Sequence, residues 1–322
     1  MPKKPCSFKS IVLPYWLKKP IDWDKQFHQR APIEVEIGFG MGEFLLRMAE
    51  AYPDKNFVGI EQHWEQIDKT LRAVARQQDM EDSLLKNIRI LKADASVSFE
   101  RLFAPKSIEA VHCLFPCPWP KKAHIKHRLF ANVFLRVINN RLKKGGLLKI
   151  VTDFYPYVEW IRQQAGRTGF HLGIKTVKPT YDTKFERKWQ GEGQKEFFEL
   201  TFIKRRHITV PVKEDAVLKN YALDDFDAEG FHLENERGDT TVIFKNMIFD
   251  RDRQKAMIHL IVAEENLTQP FWVSVVKKGK KWRVAKAEGQ NFFPTSGIAR
   301  ALELVYLAVK NSVQSKQNIH VS

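Results

Sequence analysis

Three carboxylates stand in or at the end of short apolar runs. Glu36 lies in Val35-Glu36-Ile37, just ahead of Gly38-Phe39-Gly40-Met41-Gly42. Glu61 closes Asn56-Phe57-Val58-Gly59-Ile60-Glu61, and Asp94 closes the stretch that begins Asn87-Ile88-Arg89-Ile90-Leu91. Each run reads as a strand, and the first leads into a helix with Phe44, Leu45, Met48 and Ala49 on one face. Gly38, Gly40 and Gly42 let the backbone turn sharply and approach a ligand, since no Cβ intervenes. The dinucleotide-binding pattern places its third glycine one position later; here that position is Glu43. A carboxylate there opposes a pyrophosphate and suits a cationic ligand. The same stretch also reads as a tight strand-to-helix turn with no ligand, and each acid as an ordinary residue where a strand leaves its sheet.

S-adenosylmethionine, which carries a sulfonium and an ammonium, is the cation that fits this pattern. In a sheet of this class the position of Glu61 faces the ribose, where a carboxylate accepts from both hydroxyls. Asp94 could accept from an adenine amino group, and Glu36 could sit near the ammonium or the loop backbone. Farther along, Phe115-Pro116-Cys117-Pro118-Trp119-Pro120-Lys121-Lys122 follows a fourth apolar run. Prolines flanking one residue force a rigid extended loop at the cleft mouth. Trp119 could stack on a base and Lys121 could pair with a phosphate. Between Pro116 and Thr152 there is no Asp or Glu, while Lys121, Lys122, Lys126, Arg128, Arg136, Arg141, Lys143 and Lys144 all occur. That is a basic field beside the cleft; a solvated cationic helix face is the other reading, against which the lack of intermixed acids counts. Thr183-Lys184-Phe185-Glu186-Arg187 reads as a substrate clamp or as a surface loop.

The elements that must position these groups alternate strand and helix, predicting a parallel α/β sheet with its site at the strands' carboxyl ends. A helix is expected over residues 64–78, with Ile67, Leu71 and Val74 on one face, and another over 130–141. A fifth strand follows at 147–151, ending at Thr152-Asp153. Residues 1–30 form a basic, aromatic N-terminal segment, an arm for RNA or a tail packing a few aromatics on the main domain. The main domain spans 31–207. From 211 to 322 the pattern becomes a separate, smaller antiparallel α+β domain, with a lysine hairpin at Lys277-Lys278-Gly279-Lys280-Lys281 and a final helix from about Ser296.

With 322 residues, 43% of them hydrophobic, the chain can bury two cores. Lys and Arg number 53 against 38 Asp and Glu, a net +15 that points to a polyanionic partner, most simply nucleic acid. No apolar run has the length of a membrane span, and no apolar segment follows Met1-Pro2-Lys3-Lys4-Pro5 as in a secretory signal. Cys6, Cys113 and Cys117 have neither disulfide nor metal spacing, which suits a reducing cytoplasm.

Taken in order, Glu36-Ile37-Gly38-Phe39-Gly40-Met41-Gly42, Gly59-Ile60-Glu61, Asp94-Ala95, Phe115-Pro116-Cys117-Pro118-Trp119, Thr152-Asp153 and Thr183-Lys184-Phe185-Glu186 resemble the bacterial tRNA (guanine-N7-)-methyltransferases. The resemblance runs from about residue 30 to about residue 206. It implies the Rossmann-like fold of class I methyltransferases, S-adenosylmethionine as methyl donor, no metal, and N7 of the tRNA variable-loop guanine as acceptor. It implies that Glu36, Gly38, Gly40, Gly42, Glu61 and Asp94 hold the donor. Lys121, Asp153, Thr183, Lys184, Phe185 and Glu186 would bind substrate. Cys117 stands against the donor where the family has its catalytic aspartate, and the family tends to arginine where Ala123 and His127 stand. Guanine N7 carries a lone pair and no proton, so attack needs no general base. Positioning alone accelerates such a transfer, a nearby carboxylate helps as charge spreads onto the purine, and Asp153 could supply it. A tRNA-binding relative without transfer, or a methyltransferase for another RNA, are the alternatives these residues leave.

Overall fold

Every residue of β2 (Ile33–Ile37) is buried, although two of its five residues are glutamates. Burial on both faces is what the central strand of a parallel sheet experiences. The computed structural model describes residues 8–78 and 85–319; Cys6 and the extreme N-terminus discussed above lie outside them. The chain divides into two compact units, Met1–Lys213 and Glu214–Ser322.

In the first unit, β1 (Ile11–Val12) and α1 (Trp23–Phe27) precede β2. Then come α2 (Glu43–Ala51), β3 (Asn56–Glu61), α3 (Trp64–Gln78), β4 (Ile88–Lys92), α4 (Ala95–Arg101) and β5 (Ile108–Leu114). α5 (Asn132–Arg141), β6 (Leu142–Thr152), α6 (Tyr155–Gln164), β7 (Phe170–Val177), α7 (Lys184–Gly191) and β8 (Phe197–Lys204) complete it. The strands lie in the order β1-β4-β3-β2-β5-β6-β8-β7. The first six in that order run parallel; β8 is antiparallel to both β6 and β7. The order reverses at β2, between β3 and β5. That is the switch point of a doubly wound sheet, where the strand ends open a crevice.

Periodicity explains the helices. Ile67, Leu71 and Val74 of α3 are buried, as are Leu45 and Ala49 of α2. β6 follows α5 directly, and its register against β5 shifts between Leu142 and Leu147, with Gly145 at φ +74°. The N-terminal segment docks on the sheet over residues 8–30. β1 pairs with β4, and Trp23 stacks on Phe103 with ring centroids 5.1 Å apart. The Arg89 guanidinium lies over Phe27 and donates to the Gln26 carbonyl at 2.7 Å. Of its aromatics, Phe8 and Trp16 stay largely open, at 59% and 64% exposure.

The second unit is an antiparallel sheet in the order β10-β11-β12-β13-β9, built from β9 (Tyr221–Leu223), β10 (Thr240–Asp250), β11 (Lys255–Glu264), β12 (Leu267–Lys278) and β13 (Lys281–Lys286). α8 (Ser296–Ile319) covers one face, packing Ile298, Leu302, Val305 and Val309 against the sheet. Glu264 caps the start of α8, accepting from the Gly297 N–H at 2.7 Å and the Ser296 hydroxyl at 3.0 Å. No described helix is long and apolar enough to cross a membrane.

Candidate active site

The glycine loop leaves β2 at the switch point with Gly38, Gly40 and Gly42 at φ +68°, +54° and +76°. L side chains rarely adopt these values. A Cβ at Gly38 or Gly40 would meet nothing within 4 Å, so these two are demanded by backbone conformation and face open space. Gly42 differs: a Cβ there would sit 2.5 Å from Thr70 of α3.

A cavity of about 180 Å³ opens beside the loop, lined by Glu36, Gly38, Gly40 and Glu61 on one side and by Phe115 and residues 183–185 on the other. Glu36 is 4% exposed and its Oε2 has no hydrogen-bond partner. Burial pushes its carboxyl up from 4.5 to about 8, and the nearby Glu61 charge adds to this. The Arg47 charge and the Leu45 backbone N–H pull the other way. Glu61, also buried, accepts from the Gln62 and His63 N–H groups at 2.8 and 2.9 Å through Oε1, and from the Gly40 N–H at 3.2 Å through Oε2. It fixes the loop against β3. Asp94 caps α4 through the Val97 N–H at 3.1 Å and accepts from the Gln62 amide at 2.7 Å. Gln62 therefore ties the ends of β3 and β4 together.

Glu43 lines the same cavity and is also engaged within the fold. Its carboxylate accepts the Lys184 backbone N–H at 2.6 Å and pairs with the Arg187 guanidinium. Arg47, one helical turn on, donates to the Tyr181 and Asp182 carbonyls, the latter at 3.3 Å. α2 thus holds the start of α7 over the cavity. Within residues 183–186, Thr183 is the N-cap of α7 and accepts from the Glu186 N–H at 3.2 Å. Glu186, 1% exposed, turns both oxygens to the Thr180 and Asp182 backbone N–H groups. This is a variant of the capping box, in which the acid satisfies the chain just outside the helix. The Thr-x-x-Glu spacing was the signal that could have revealed it.

The Phe115–Pro120 segment leaves β5 with Phe115 and Trp119 at positive φ. Arg128 pins it from behind, donating to the Pro118 carbonyl at 2.8 Å, with its guanidinium 5.3 Å from the Tyr157 and Trp160 rings. The basic field is correspondingly smaller than the sequence implies. Arg128 is buried, and Arg141 is wholly buried, donating to the Phe99 carbonyl at 2.7 Å and to the Glu100 and Pro211 carbonyls. Carbonyl oxygens and aromatic faces take these two charges out of solvent. Lys121, Lys122 and Lys126 remain exposed, as does Cys117. Trp119 is half-buried with its ring against His124 and His127, at 5.7 and 5.3 Å. Asp153 follows β6, next to the 115–120 loop, where the Phe115 N–H bonds the Val151 carbonyl at 2.7 Å. Burial raises its carboxyl, opposed by its own backbone N–H and the Lys188 charge.

Of the residues singled out from sequence, Glu36, Gly38, Gly40, Glu61, Thr183, Lys184 and Phe185 line one cavity. Gly42, Asp94, Cys117, Lys121, Asp153 and Glu186 lie outside that lining. Sequence reasoning missed Arg47, Arg187, Arg128 and Gln62 as the side chains that hold these parts in place. Among the described residues, no three His, Cys, Asp or Glu are grouped to hold a metal.

A family model described as "Putative methyltransferase" matches residues 30–199. A tRNA (guanine-N(7)-)-methyltransferase of Chlorobium phaeobacteroides is 44% identical over 176 residues, 55% of this chain and 83% of that protein. The chain belongs to this methyltransferase family. Proteins of the same printed name from Thermotoga maritima and Burkholderia thailandensis are 35% and 36% identical, over 58% and 61% of this chain and 61% and 73% of their own lengths. The family model ends within β8, so the second unit lies beyond it.

Proposed function

We propose that the first unit transfers a methyl group from S-adenosylmethionine to N7 of a guanine in tRNA, the variable-loop guanine, forming N7-methylguanosine. Family membership supports the reaction class. One structural observation carries the donor assignment: the buried, unpartnered Glu36 oxygen at the edge of the switch-point cavity. A buried acceptor without a partner is costly, and an ammonium placed there relieves the cost.

The donor, when bound, supplies an electrophilic methyl and needs no metal. Glu36 orients its ammonium. Glu61, with three N–H groups already on its two oxygens, retains roughly one acceptor site of about four for a ribose hydroxyl. Asp94, held by Gln62, receives the adenine amino group. Gly38 and Gly40 leave the space that a side chain would fill. Lys184 and Phe185, held by Glu43, close the cavity from the acceptor's side, and Lys121 meets phosphate. Asp153 offers negative charge as the purine becomes cationic, and Cys117 lies along the approach without acting as a base, because N7 has no proton to remove. The cysteine content supports a cytoplasmic setting.

The test is nucleoside mass spectrometry of tRNA incubated with protein and donor at stated salt. N7-methylguanosine is expected in tRNA and not in other RNA; its absence with tRNA refutes the reading. Cys117 in place of an aspartate favours a second reading, a tRNA-binding relative without transfer. That reading predicts donor binding with no methylated nucleoside.

A further inference from the structure

The sheet of the second unit has two unlike faces. α8 packs on one, against Ile258, Leu260 and Val273. Side chains alternate along a strand, so the intervening residues of β11 and β12 stand on the other face. There His259 and Trp272, opposite one another in register, stack with centroids 4.5 Å apart and planes 8° from parallel. In the next row Ile248, Met257 and Ser274 are neighbours, and in the row beyond, Lys255, Val276 and Arg283. A hollow of about 390 Å³ opens among Lys255, Met257, Val276, Lys278 and Arg283. Ile248 is 58% exposed, and Lys278 and Arg283 are exposed as well.

Charge in this unit is balanced in number but sorted in place. Residues 214–322 contain 15 Lys and Arg and 15 Asp and Glu, so the chain's surplus of +15 belongs to residues 1–213. Nine of those acids lie in residues 214–239. Residues 266–287 hold Lys277, Lys278, Lys280, Lys281, Arg283 and Lys286 and no acid. Lysines often guard an edge strand against pairing, but that does not apply to this hairpin. β12 and β13 are interior, and Arg283 pairs in register with Val276 on one side and Ala222 on the other. Asp250 stands opposite Lys255 in the ladder and Glu288 borders the hollow. Even so, among the described residues Lys255, Lys278 and Arg283 enter no ion pair. Unpaired cations around a ring pair on an open antiparallel sheet match what an unpaired nucleotide offers: a base to stack and phosphates to neutralise.

We propose that this open face binds unpaired nucleotides of RNA, with a base stacked against the Trp272–His259 pair and the adjoining phosphates on Lys255, Lys278 and Arg283. The proposal rests on the methyltransferase reading only in taking tRNA as the natural RNA. Binding measured without donor therefore separates its failure from failure of that reading.

The test uses the full chain with two probes, whole tRNA and a short unstructured RNA, followed by fluorescence anisotropy over a salt series. Lys278→Glu with Arg283→Glu should weaken both probes about tenfold or more and flatten the salt slope by roughly one to two. Trp272→Leu should weaken binding about tenfold with the slope kept. Ultraviolet crosslinking should place nucleotide adducts within residues 255–286. Should Trp272→Leu not fold, the charge variant and the crosslinks decide. Parental affinity in the charge variant, or adducts confined to residues 1–213, overturns the proposal. A parent dimer that the charge variant splits also overturns it, assigning the face to a second copy of the chain.

Discussion

The Glu43 carboxylate, at the first position of α2, accepts the backbone N–H of Lys184, the first residue of α7, across 2.6 Å and 141 positions of sequence. One side chain therefore connects the glycine loop, which the donor would touch, to the 183–187 turn, which would face the acceptor. Its other oxygen pairs with Arg187, which also bonds the Asp182 carbonyl at 2.6 Å. The two halves of the cavity wall cannot separate without breaking these bonds.

Glu43→Ala should free that turn. The ion pair is largely exposed and screened, so it contributes little by itself, and the orphaned Lys184 N–H carries most of the effect. The Michaelis constant for tRNA should rise about tenfold with a smaller change in turnover. Trypsin should cut after Lys184, Arg187 and Lys188 several times faster than in the parent. Unchanged cleavage would mean the tether holds nothing.

Glu36 couples folding and donor binding to pH. Its folded-state carboxyl is raised to about 8 from 4.5, so the native state keeps a proton that the unfolded chain releases. Its contribution to stability is most favourable below 4.5 and falls as pH rises from 4.5 to 8, levelling off above. Integrated over that window the loss is on the order of 5 kcal/mol. Glu36→Gln removes the ionisation, so thermal melts at pH 5.5 and pH 8 should converge in the variant. An ammonium partner favours the ionised form, so donor binding near pH 7 should release close to one proton in the parent. Calorimetry in buffers of different ionisation enthalpy should show no such release in Glu36→Gln.

Much of the first unit could be read from periodicity. The β3 and β4 runs, the Ile67, Leu71 and Val74 face and the strand-end acids are local patterns, and local patterns survive folding. β1 could not be read, because two residues carry no period. Neither could the insertion of β8 between β6 and β7, which depends on pairing across the chain. Arg128 and Arg141 were misjudged for one reason: their partners are mostly backbone carbonyls and aromatic faces, some of them far away in sequence. Residue type alone makes such groups look like free surface charges. Glu186 was legible in principle through its spacing from Thr183.

Cys117 sets a direct test of the site's electrostatics. It is exposed in a loop whose backbone is fixed by Arg128 and the adjoining prolines, so Cys117→Asp should leave the fold intact. A carboxylate there stabilises the charge developing on the purine. Tritiated-methyl transfer should therefore match or exceed the parent, by up to about tenfold. A large loss in a folded variant would show that the thiol has been given a role of its own.

Arg128→Met probes the pin behind that loop. The substitution keeps an apolar stem beside Tyr157 and Trp160 but leaves the Pro118 and Trp119 carbonyls without their donor. Those lost charge-assisted bonds and ring contacts should cost about 2–3 kcal/mol, lowering the melting temperature by about 5–10 °C for a unit of this size. Loosening of the 115–120 loop should lower turnover more than it raises the Michaelis constant for the donor, because that loop gives the cavity only Phe115, and the glycine loop, β3 and residues 183–185 supply most of the remaining wall. Arg128→Lys keeps the charge but not the forked geometry and should fall between parent and Arg128→Met in both readouts. A melting curve unchanged in Arg128→Met would mean that the prolines alone hold the loop, and that the buried guanidinium contributes packing only.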